Sequence, residues 1–535
     1  MVEVRDVVVV GAGPTGLALA IALRRYGLDV LVVEKEPSTK NEARACVIWQ
    51  RALEALRDLG CAEDLVGAGV VVRRGAFRVR GRLCGEYDMA VPTTAFPCPL
   101  AIEQDTTERL LRGRLRALGD DVGWGTEAVA VRVGADGAEV DLRRPDGRGR
   151  TVACRWIVGC EGAHSIVRKT LGIPFEGERR AGLQAVQINA KPDWRFPRDP
   201  DLTQIFLQRG VSLIVSPLPG GAHRFFAFRD DPLPRGEEPP GVEEMRALVA
   251  RATGDPDVRL VPTDPLWSNR ARFHDRLAAR LRQGAALLAG DSAHLWAPIG
   301  GHGLNAGLCA AHNLGWKLAA VHRGHCRDEL LDTYSAEQRR TAAGVMRDMR
   351  HNITELPPGP LTFAALRLAA PVVIGSRWAE RRTRLMMSDF TRHHRPSALS
   401  TDTGGRGPLR AGDRLPDLHV RDHDGVRRRL HELLSYGRWT LLVFEGGEGG
   451  EGDGSGEAGG SGEGGGSGTE FRGLTERYGA DIAVFRVRSD AGAAGAAGTV
   501  PAGTLLLVRP DGYVGLRAAS GDRSAPAAYL QRWFV

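Results

Sequence analysis

One short stretch near the N-terminus constrains the fold of this chain more than any other. Residues 6–16 read Asp-Val-Val-Val-Val-Gly-Ala-Gly-Pro-Thr-Gly, and Leu17–Leu23 continue at helical spacing. The valine run is apolar on both faces, which is typical of a buried parallel strand. Gly11, Gly13 and Gly16 then have the GxGxxG spacing of a turn that lets a pyrophosphate lie against a helix N-terminus. The stretch therefore predicts a Rossmann-like, dinucleotide-binding unit.

The second predicted strand indicates which dinucleotide binds. Val30–Val33 are apolar, and Glu34 follows them directly. A carboxylate at this position accepts hydrogen bonds from ribose hydroxyls and repels a 2′-phosphate. The tightly held nucleotide is therefore expected to be FAD or NAD rather than NADP.

Composition excludes several classes of protein. The 535 residues are 42% hydrophobic and 26% charged, as in a globular protein of several domains. The net charge of +7 comes from scattered arginines, so no nucleic-acid partner is expected. The eight cysteines have neither CxxC nor zinc-ligand spacing, so no metal is expected. Without a signal peptide or membrane span, we expect a cytoplasmic protein with no membrane partner.

Two kinds of sequence pattern alternate over the first 400 residues. Strand–turn–helix patterns occupy 1–74, 100–177 and 276–400, and we assign all three to the nucleotide-binding domain. Residues 75–99 instead look rich in strands, and residues 178–275 alternate with a period of two, so that Phe206 faces away from Ile205 and Leu207. The predicted fold class is therefore α/β, with an antiparallel β-sheet substrate domain inserted into a Rossmann-like domain.

Several residues lie where ligands usually bind. Asp291 ends a predicted strand and could hold a ribityl hydroxyl, and the amides near Leu304 and Asn305 open a glycine-rich helix start that suits a partial negative charge. Arg44 could reach a phosphate or a flavin ring, and Gln104 lies at a strand-to-helix junction. Each feature is also compatible with a structural role: a packing turn, a surface arginine or an ordinary loop residue.

A further domain is expected at 408–535, after a predicted linker at 401–408. Predicted strands include Trp439–Phe444 and Thr504–Arg509. A tract of Glu, Gly and Ser at 446–468 cannot build a core and is predicted to be a disordered loop.

Three motifs together resemble the group A flavoprotein monooxygenases, the p-hydroxybenzoate hydroxylase-like class, and most of all its aromatic polyketide hydroxylases. The motifs are Gly11–Gly16 with Glu34, then Glu161-Gly162 with Arg168, then Gly290-Asp291 with Pro298 and Gly303–Gly307. The C-terminal part is similar to the thioredoxin-like domain of these hydroxylases, but all eight cysteines precede it. Glu161 stands where the family has Asp, and His302 stands where Gln is usual.

The resemblance implies roles for individual residues. Arg44 and Pro298 would lie at the reacting part of the flavin. The cofactor-binding residues would be Gly11, Gly13, Gly16, Glu34, Lys35, Arg44, Gln104, Glu161, Asp291, Gly303, Leu304 and Asn305. Phe206, Phe226, Trp296 and His302 are candidates to line the substrate pocket. Taken singly, each of these four is equally compatible with core packing or, for His302, with a turn.

The chemistry that the resemblance implies belongs mainly to the cofactor. NADPH or NADH binds transiently and reduces bound FAD, O2 adds at flavin C4a, and the hydroperoxide transfers one oxygen atom to a polycyclic aromatic, polyketide-type substrate. One alternative is Baeyer–Villiger oxidation, epoxidation or antibiotic inactivation on the same scaffold. A second alternative is a degenerate flavin-binding protein without turnover. The chain is expected to be a monomer or a homodimer.

Overall fold

The chain forms two compact units in its computed structural model. The structure describes residues 3–39, 45–134, 136–230, 238–350, 358–374, 376–404, 407, 409–445, 471–489 and 500–535. Unit 1 consists of Met1–Pro92, Phe96–Gly315 and Gln338–Thr391, and unit 2 of Thr93–Ala95, Trp316–Glu337 and Arg392–Val535. Unit 2 thus takes two segments that the sequence assigns to the nucleotide-binding domain.

The strands and helices alternate through most of the chain. The strands are β1 Glu3–Val10, β2 Val30–Glu34, β3 Val47–Ile48, β4 Val70–Val71, β5 Arg74–Val79, β6 Arg82–Asp88, β7 Leu100–Ala101, β8 Val122–Trp124, β9 Glu127–Val133, β10 Ala138–Arg143, β11 Gly149–Gly159, β12 Phe175–Asp193, β13 Leu202–Gln208, β14 Val211–Pro217, β15 His223–Asp230, β16 Arg259–Pro262, β17 Ser268–Ala278, β18 Arg282–Gln283, β19 Ala286–Leu288, β20 His294–Leu295, β21 Thr401–Asp402, β22 His419–Asp422, β23 Arg427–Arg429, β24 Trp439–Phe444, β25 Ile482–Ser489, β26 Thr504–Val508 and β27 Val514–Ala519. The helices are α1 Pro14–Arg25, α2 Gln50–Asp58, α3 Ala62–Ala68, α4 Gln104–Ala117, α5 Ile166–Thr170, α6 Val242–Thr253, α7 His302–His322, α8 Leu330–Arg350, α9 Pro360–Ile374, α10 Arg377–Met387, α11 Arg472–Tyr478 and α12 Ala525–Trp533.

A parallel sheet forms the nucleotide-binding part of unit 1. Its order is β18-β19-β11-β1-β2-β8, and β1 pairs in parallel with both β2 and β11. Val7–Val9 are fully buried, as expected for a strand covered on both faces. Strands β9, β10 and β11 form an antiparallel meander that extends this sheet. The parallel order brings the carboxyl ends of β2, β1, β11 and β19 to one edge.

An antiparallel sheet forms the rest of unit 1. Its order is β20-β17-β12-β15-β14-β13-β5-β6, and β5 joins it by pairing with β13. Residues 75–99 and 178–275 therefore contribute strands to one sheet. One face packs against α6 in a large apolar core, and the other face carries a second apolar cluster.

Unit 2 contains a seven-stranded sheet in the order β21-β27-β26-β24-β25-β22-β23. The predicted linker at 401–408 is wrong at its start, because Thr401 and Asp402 form β21 and pair with β27. The predicted disordered tract at 446–468 lies outside the described residues. Among the described residues, no helix is both long and apolar enough to cross a lipid bilayer.

Candidate active site

The turn between β1 and α1 leaves open space at one glycine and none at the two others. Gly11 has a φ of +104°, and a Cβ there would lie 2.5 Å from the carbonyl oxygen of Cys160. A Cβ on Gly16 would lie 2.0 Å from the carbonyl oxygen of Gly11. Gly13 caps α1 and has no atom within 4 Å of a Cβ. The turn is therefore tight within the protein and open at the helix N-terminus, where a pyrophosphate fits.

Three carboxylates follow strands of the parallel sheet at the same edge. Glu34 ends β2 and accepts hydrogen bonds from the backbone amides of Ala12, at 3.0 Å, and Glu36, at 3.1 Å. Asp291 follows β19 and is exposed, as is Lys35 beyond β2. Glu34 and Asp291 thus lie at the same edge of the sheet.

Glu161 follows β11, and hydrogen bonds within the protein occupy its carboxylate. One oxygen accepts from the Ser165 hydroxyl at 2.8 Å and from the Val167 amide at 3.0 Å, and the other accepts from the Ser292 hydroxyl at 3.1 Å. The side chain thus holds the start of α5 against the turn after β19. This geometry indicates a role in shaping the edge, which could be read from the sequence only as a strand-end carboxylate.

The glycine-rich turn before α7 is fixed by side chains rather than by its own backbone alone. Gly300 and Gly301 have φ values of +74° and +65°. The Asn305 side chain accepts from the Trp49 amide at 2.7 Å and donates to the carbonyl oxygens of Val47 and Gly301. The Asn305 side chain is therefore committed to the turn, and the backbone amides of this helix start are the groups available to a ligand.

The N-termini of α1 and α7 lie close together. A Cβ on Gly307 of α7 would lie 2.2 Å from the hydroxyl oxygen of Thr15 in α1, and a Cβ on Gly290 would lie 2.8 Å from it. Gly303, in the first turn of α7, has open space around it, as Gly13 has at α1. Two helix N-termini with open glycines on one sheet edge fit a nucleotide that carries a pyrophosphate at one end and a ring with partial negative charge at the other.

Gln104 begins α4, as the sequence predicts. Its side-chain oxygen accepts a hydrogen bond from the backbone amide of Ala45 at 3.1 Å, and its amide donates to Glu108 at 2.8 Å. The structure therefore places Gln104 beside the chain that follows Arg44. Arg44 itself lies outside the described residues.

Three of the four predicted pocket residues belong to one region, and the fourth does not. Phe226 and Trp296 belong to the apolar cluster on the sheet face away from α6, next to half-buried Pro298. His302 is fully buried at the start of α7. Phe206 packs on the opposite face, in the core under α6, because β13 points it away from Ile205. The alternation showed that the two faces differ, but not which face is turned to a ligand.

Two buried polar atoms in this region have no hydrogen-bond partner in the described part of the chain. They are the indole nitrogen Nε1 of Trp296, a donor, and the ring nitrogen Nε2 of His302. Trp296 is 9% exposed and His302 is 0% exposed. Because burying an unpaired polar atom costs about 1–3 kcal/mol, these atoms suit a bound molecule with polar groups of its own.

A row of buried polar side chains on the same sheet face was not predicted. Arg224 donates hydrogen bonds to the side chains of Asn189 and Gln187, and its guanidinium carbon lies 3.7 Å from the ring centroid of Trp267. The Asn189 side chain in turn donates to Glu103 at 2.6 Å. Burial lowers the pKa of Arg224 and raises the pKa of Glu103. The sequence signal was an arginine beside two phenylalanines in an alternating strand, which places it on the face of Phe226.

The comparisons with known proteins agree with this geometry. Residues 4–349 match the FAD binding domain family. The chain is 31% identical to 6-methylpretetramide 4-monooxygenase of Streptomyces rimosus, over 98% of this chain and 92% of that protein. It is 34% identical to rifampicin monooxygenase of Streptomyces venezuelae, over 82% of this chain and 87% of that protein.

A solved structure shows the same fold over the whole chain. The anhydrotetracycline hydroxylase from Streptomyces rimosus superposes with a TM-score of 0.76 at 30% identity and covers 99% of both chains. The family predicted from the three motifs is confirmed, and the family match supports FAD as the bound nucleotide. The chain therefore belongs to the FAD binding domain family and is a flavin-dependent monooxygenase.

Proposed function

We propose that the protein inserts one oxygen atom of O2 into a polycyclic aromatic, polyketide-type substrate. The observation that carries this proposal is the apolar cluster around Phe226 and Trp296, next to Pro298 and the start of α7, with unpartnered buried polar atoms on Trp296 and His302. A flat apolar ring system with a few hydroxyl or carbonyl groups matches such a lining. The named substrates of the tetracycline-type relatives have this chemistry.

The carboxyl edge of the parallel sheet would hold FAD. Gly11, Gly13 and Gly16 would take the pyrophosphate and Glu34 the ribose, with Lys35 beside it. Asp291 would bind the ribityl chain, and the amides at Gly303, Leu304 and Asn305 would face the ring. Glu161 would shape this edge, and Arg44 and Gln104 would flank the ring. Bound FAD would supply the redox chemistry with O2, and the chain's residues would bind, orient and exclude water.

The reductant in this proposal is NADPH or NADH. One dinucleotide-binding turn is present in the described residues, and FAD would occupy it. The nicotinamide cofactor would therefore bind transiently, without a domain of its own. We also infer a cytoplasmic protein, because the eight cysteines, all within the described residues, form no disulfide.

Residues 408–535 are proposed to form a thioredoxin-like domain without redox activity. Its central strand β24 pairs in parallel with β25 and antiparallel with β26. All cysteines precede residue 327, so dithiol chemistry is excluded. Its proposed role is structural or at an interface.

A panel of anthraquinone- and angucycline-like phenols tests the function. The purified protein should be yellow, and substrates should stimulate NADPH oxidation and gain one oxygen atom. Because Baeyer–Villiger oxidation adds the same mass, the product must also be tested for an ester. The rifampicin monooxygenase relative favours an antibiotic-inactivating activity as the second candidate, so rifampicin belongs in the panel. Protein that binds FAD but never yields an oxygenated product would contradict both candidate functions.

A further inference from the structure

We propose that the solvent-facing side of α9 and the start of α10 bind the surface of an anionic lipid bilayer. The two helices would lie in the headgroup region without crossing the bilayer, because α9 has 15 residues and a membrane span needs about 20. The expectation of no membrane partner rested on the lack of a spanning segment, and this surface needs none.

The solvent-facing side of α9 is apolar along most of the helix. Leu361, Leu368 and Val372 are 87%, 81% and 76% exposed, and Ala365 is exposed as well. Their spacing of four, three and four residues puts them on one side of the helix, in a stripe about 16 Å long. These four residues form the α9 stripe. A contiguous group of exposed apolar side chains marks a surface that another molecule covers.

The opposite side of α9 is already packed within the protein. Phe363 and Leu366 pack against an apolar cluster of the antiparallel sheet that consists of Phe77, Val79, Ile205 and Leu207. A helix that is apolar all round is ordinarily buried on every side or in contact with hydrocarbon. Because one side of α9 meets the sheet, the α9 stripe is the side left for a second apolar phase.

Basic side chains and a tryptophan lie at the start of α10, which contacts α9. Trp378 is 71% exposed, and the guanidinium carbon of Arg382 lies 5.7 Å from its ring centroid. Arg377 and Arg381 are exposed as well. Tryptophan and arginine beside an apolar helix face are typical of helices that bind in the headgroup region of a bilayer.

The charge of this region favours a lipid surface over a second copy of the chain. Residues 358–387 contain five arginines and one glutamate, which give a net charge of +4. Pairing two copies through the α9 stripe would bring two such surfaces together, and like charges repel. Anionic headgroups attract the same arginines. The apolar stripe and the arginines therefore fit one partner, a bilayer that contains anionic lipids.

α9 packs on the same sheet face as the proposed substrate pocket. Ile214 packs against both the cluster under α9 and the apolar cluster that contains Trp296. The hydrocarbon phase, in which an apolar polycyclic compound concentrates, would thus lie on the pocket side of the sheet. This consequence for substrate supply rests on the proposed function, whereas the binding to lipid does not.

Vesicle flotation tests the binding. FAD-loaded protein is mixed with vesicles of phosphatidylglycerol and phosphatidylcholine, or of phosphatidylcholine alone, without substrate or NADPH. The wild type should float with the anionic vesicles at low salt. It should bind about ten-fold more weakly to neutral vesicles or in 1 M NaCl, because salt screens the arginines. Protein that does not float with the anionic vesicles would overturn the proposal.

Replacing the apolar stripe locates the surface. L361Q/L368Q should weaken binding to anionic vesicles about ten-fold, because it removes two apolar side chains that would contact hydrocarbon. The control, V261Q/L266Q, changes two exposed apolar residues elsewhere and should bind as the wild type does. Circular dichroism and flavin absorbance check that each variant is folded and holds FAD. Wild-type affinity in folded L361Q/L368Q would overturn the proposal.

Replacing the arginines tests the electrostatic part. R377Q/R382Q should bind anionic vesicles about ten-fold more weakly and with less dependence on salt. R144Q/R148Q makes the same change in charge at exposed positions elsewhere and should bind as the wild type does. Equal losses in the two variants would show that net charge alone attracts the protein to lipid, which contradicts the assignment of this surface.

Sedimentation velocity without lipid tests the other occupant, a second copy of the chain. The wild type and L361Q/L368Q should have the same oligomeric state. A wild-type dimer that L361Q/L368Q converts to a monomer would show that a second copy covers the α9 stripe, and the proposal would be overturned. Because these assays contain no substrate, their failure leaves the proposed oxygenation standing, and failure to oxygenate any compound leaves the binding to lipid standing.

Discussion

Gly16 marks the point of closest approach between β1 and α1. A Cβ there would lie 2.0 Å from the Gly11 carbonyl oxygen, so G16A must push the helix off the strand. We expect a loss of about 1–3 kcal/mol of folding free energy and colourless purified protein. G13A places its Cβ in open space and should fold normally but bind FAD at least ten-fold more weakly, since the added methyl occupies the proposed pyrophosphate site.

Thermal unfolding and flavin absorbance measure both effects. The control is G113A in α4, where a Cβ also meets nothing within 4 Å. That helix-interior change should stabilise by about 0.5–1 kcal/mol and leave FAD unchanged. G16A protein as stable and as yellow as the wild type would show that the turn is not as tight as described.

His394 makes the stability of unit 2 depend on pH. Burial lowers its pKa to about 4, from about 6.5 in the unfolded chain. The unfolded state therefore binds more protons between these values, and stability falls as the pH falls from about 6.5 to about 4. Urea unfolding at several pH values should show a shallower slope for H394Q. An H394Q slope as steep as that of the wild type would contradict this assignment.

At the scale of the element, strands β13 and β15 place similar residues in different surroundings. Phe206 is fully buried under α6, whereas Phe226 is half-buried on the other face. The ring centroids of Phe226 and Phe228 are 4.5 Å apart. We expect F206A to cost about 3–5 kcal/mol of stability. F226A should cost less and instead raise the KM for an aromatic substrate, because it removes ring contact at the proposed pocket.

Chemical denaturation and steady-state kinetics separate the two variants. A larger KM increase in folded F206A than in F226A would mean that the ligand lies on the α6 face. F206L serves as the milder core control, since it keeps most of the buried volume.

Local sequence patterns predicted many of the strands and helices, because the periodicity of each depends on residues that are close in the sequence. The β1–α1 turn, the strand-to-helix junction at Gln104 and the alternating strands within 178–275 were predicted from local sequence. What spacing cannot show is which distant side chains meet. The contact between His302 and Asp389, the row from Arg224 to Glu103 and the face occupied by Phe206 all depend on tertiary packing.

At the scale of the whole molecule, two of the boundaries between the units fall inside helices α7 and α8. Lys317 of α7 and Glu337 of α8 belong to unit 2, where Glu337 pairs with Lys317 at 2.8 Å and with Arg509 at 2.7 Å. Arg509 also binds Asp511 at 2.5 Å, and all four side chains are buried. Burial alone would raise the pKa of Glu337, but Arg509 and Lys317 outweigh it and hold that pKa well below its usual range.

Removal of Arg509 tests this buried cluster. R509M removes the guanidinium that pairs with the buried carboxylates of Asp511 and Glu337, so we expect a loss of about 3–5 kcal/mol. R472A, which breaks an exposed pair with Glu476, should cost no more than about 0.5 kcal/mol. Hydrogen exchange in β26 and β27 reports the effect. A fragment of 408–535 lacks Lys317 and Glu337 and should not fold, so a stably folded fragment would contradict the assignment of 316–337 to unit 2.

Labelling with 18O2 tests the account most directly. FAD-loaded protein, NADPH and a hydroxylated anthraquinone or angucycline substrate are incubated under 18O2, and the product is analysed by mass spectrometry. We predict one 18O atom per product, attached to a ring carbon, with one NADPH consumed for each coupled turnover. Product without the label, or NADPH oxidation that yields only hydrogen peroxide with every substrate tested, would contradict the assignment of this chain as an aromatic monooxygenase.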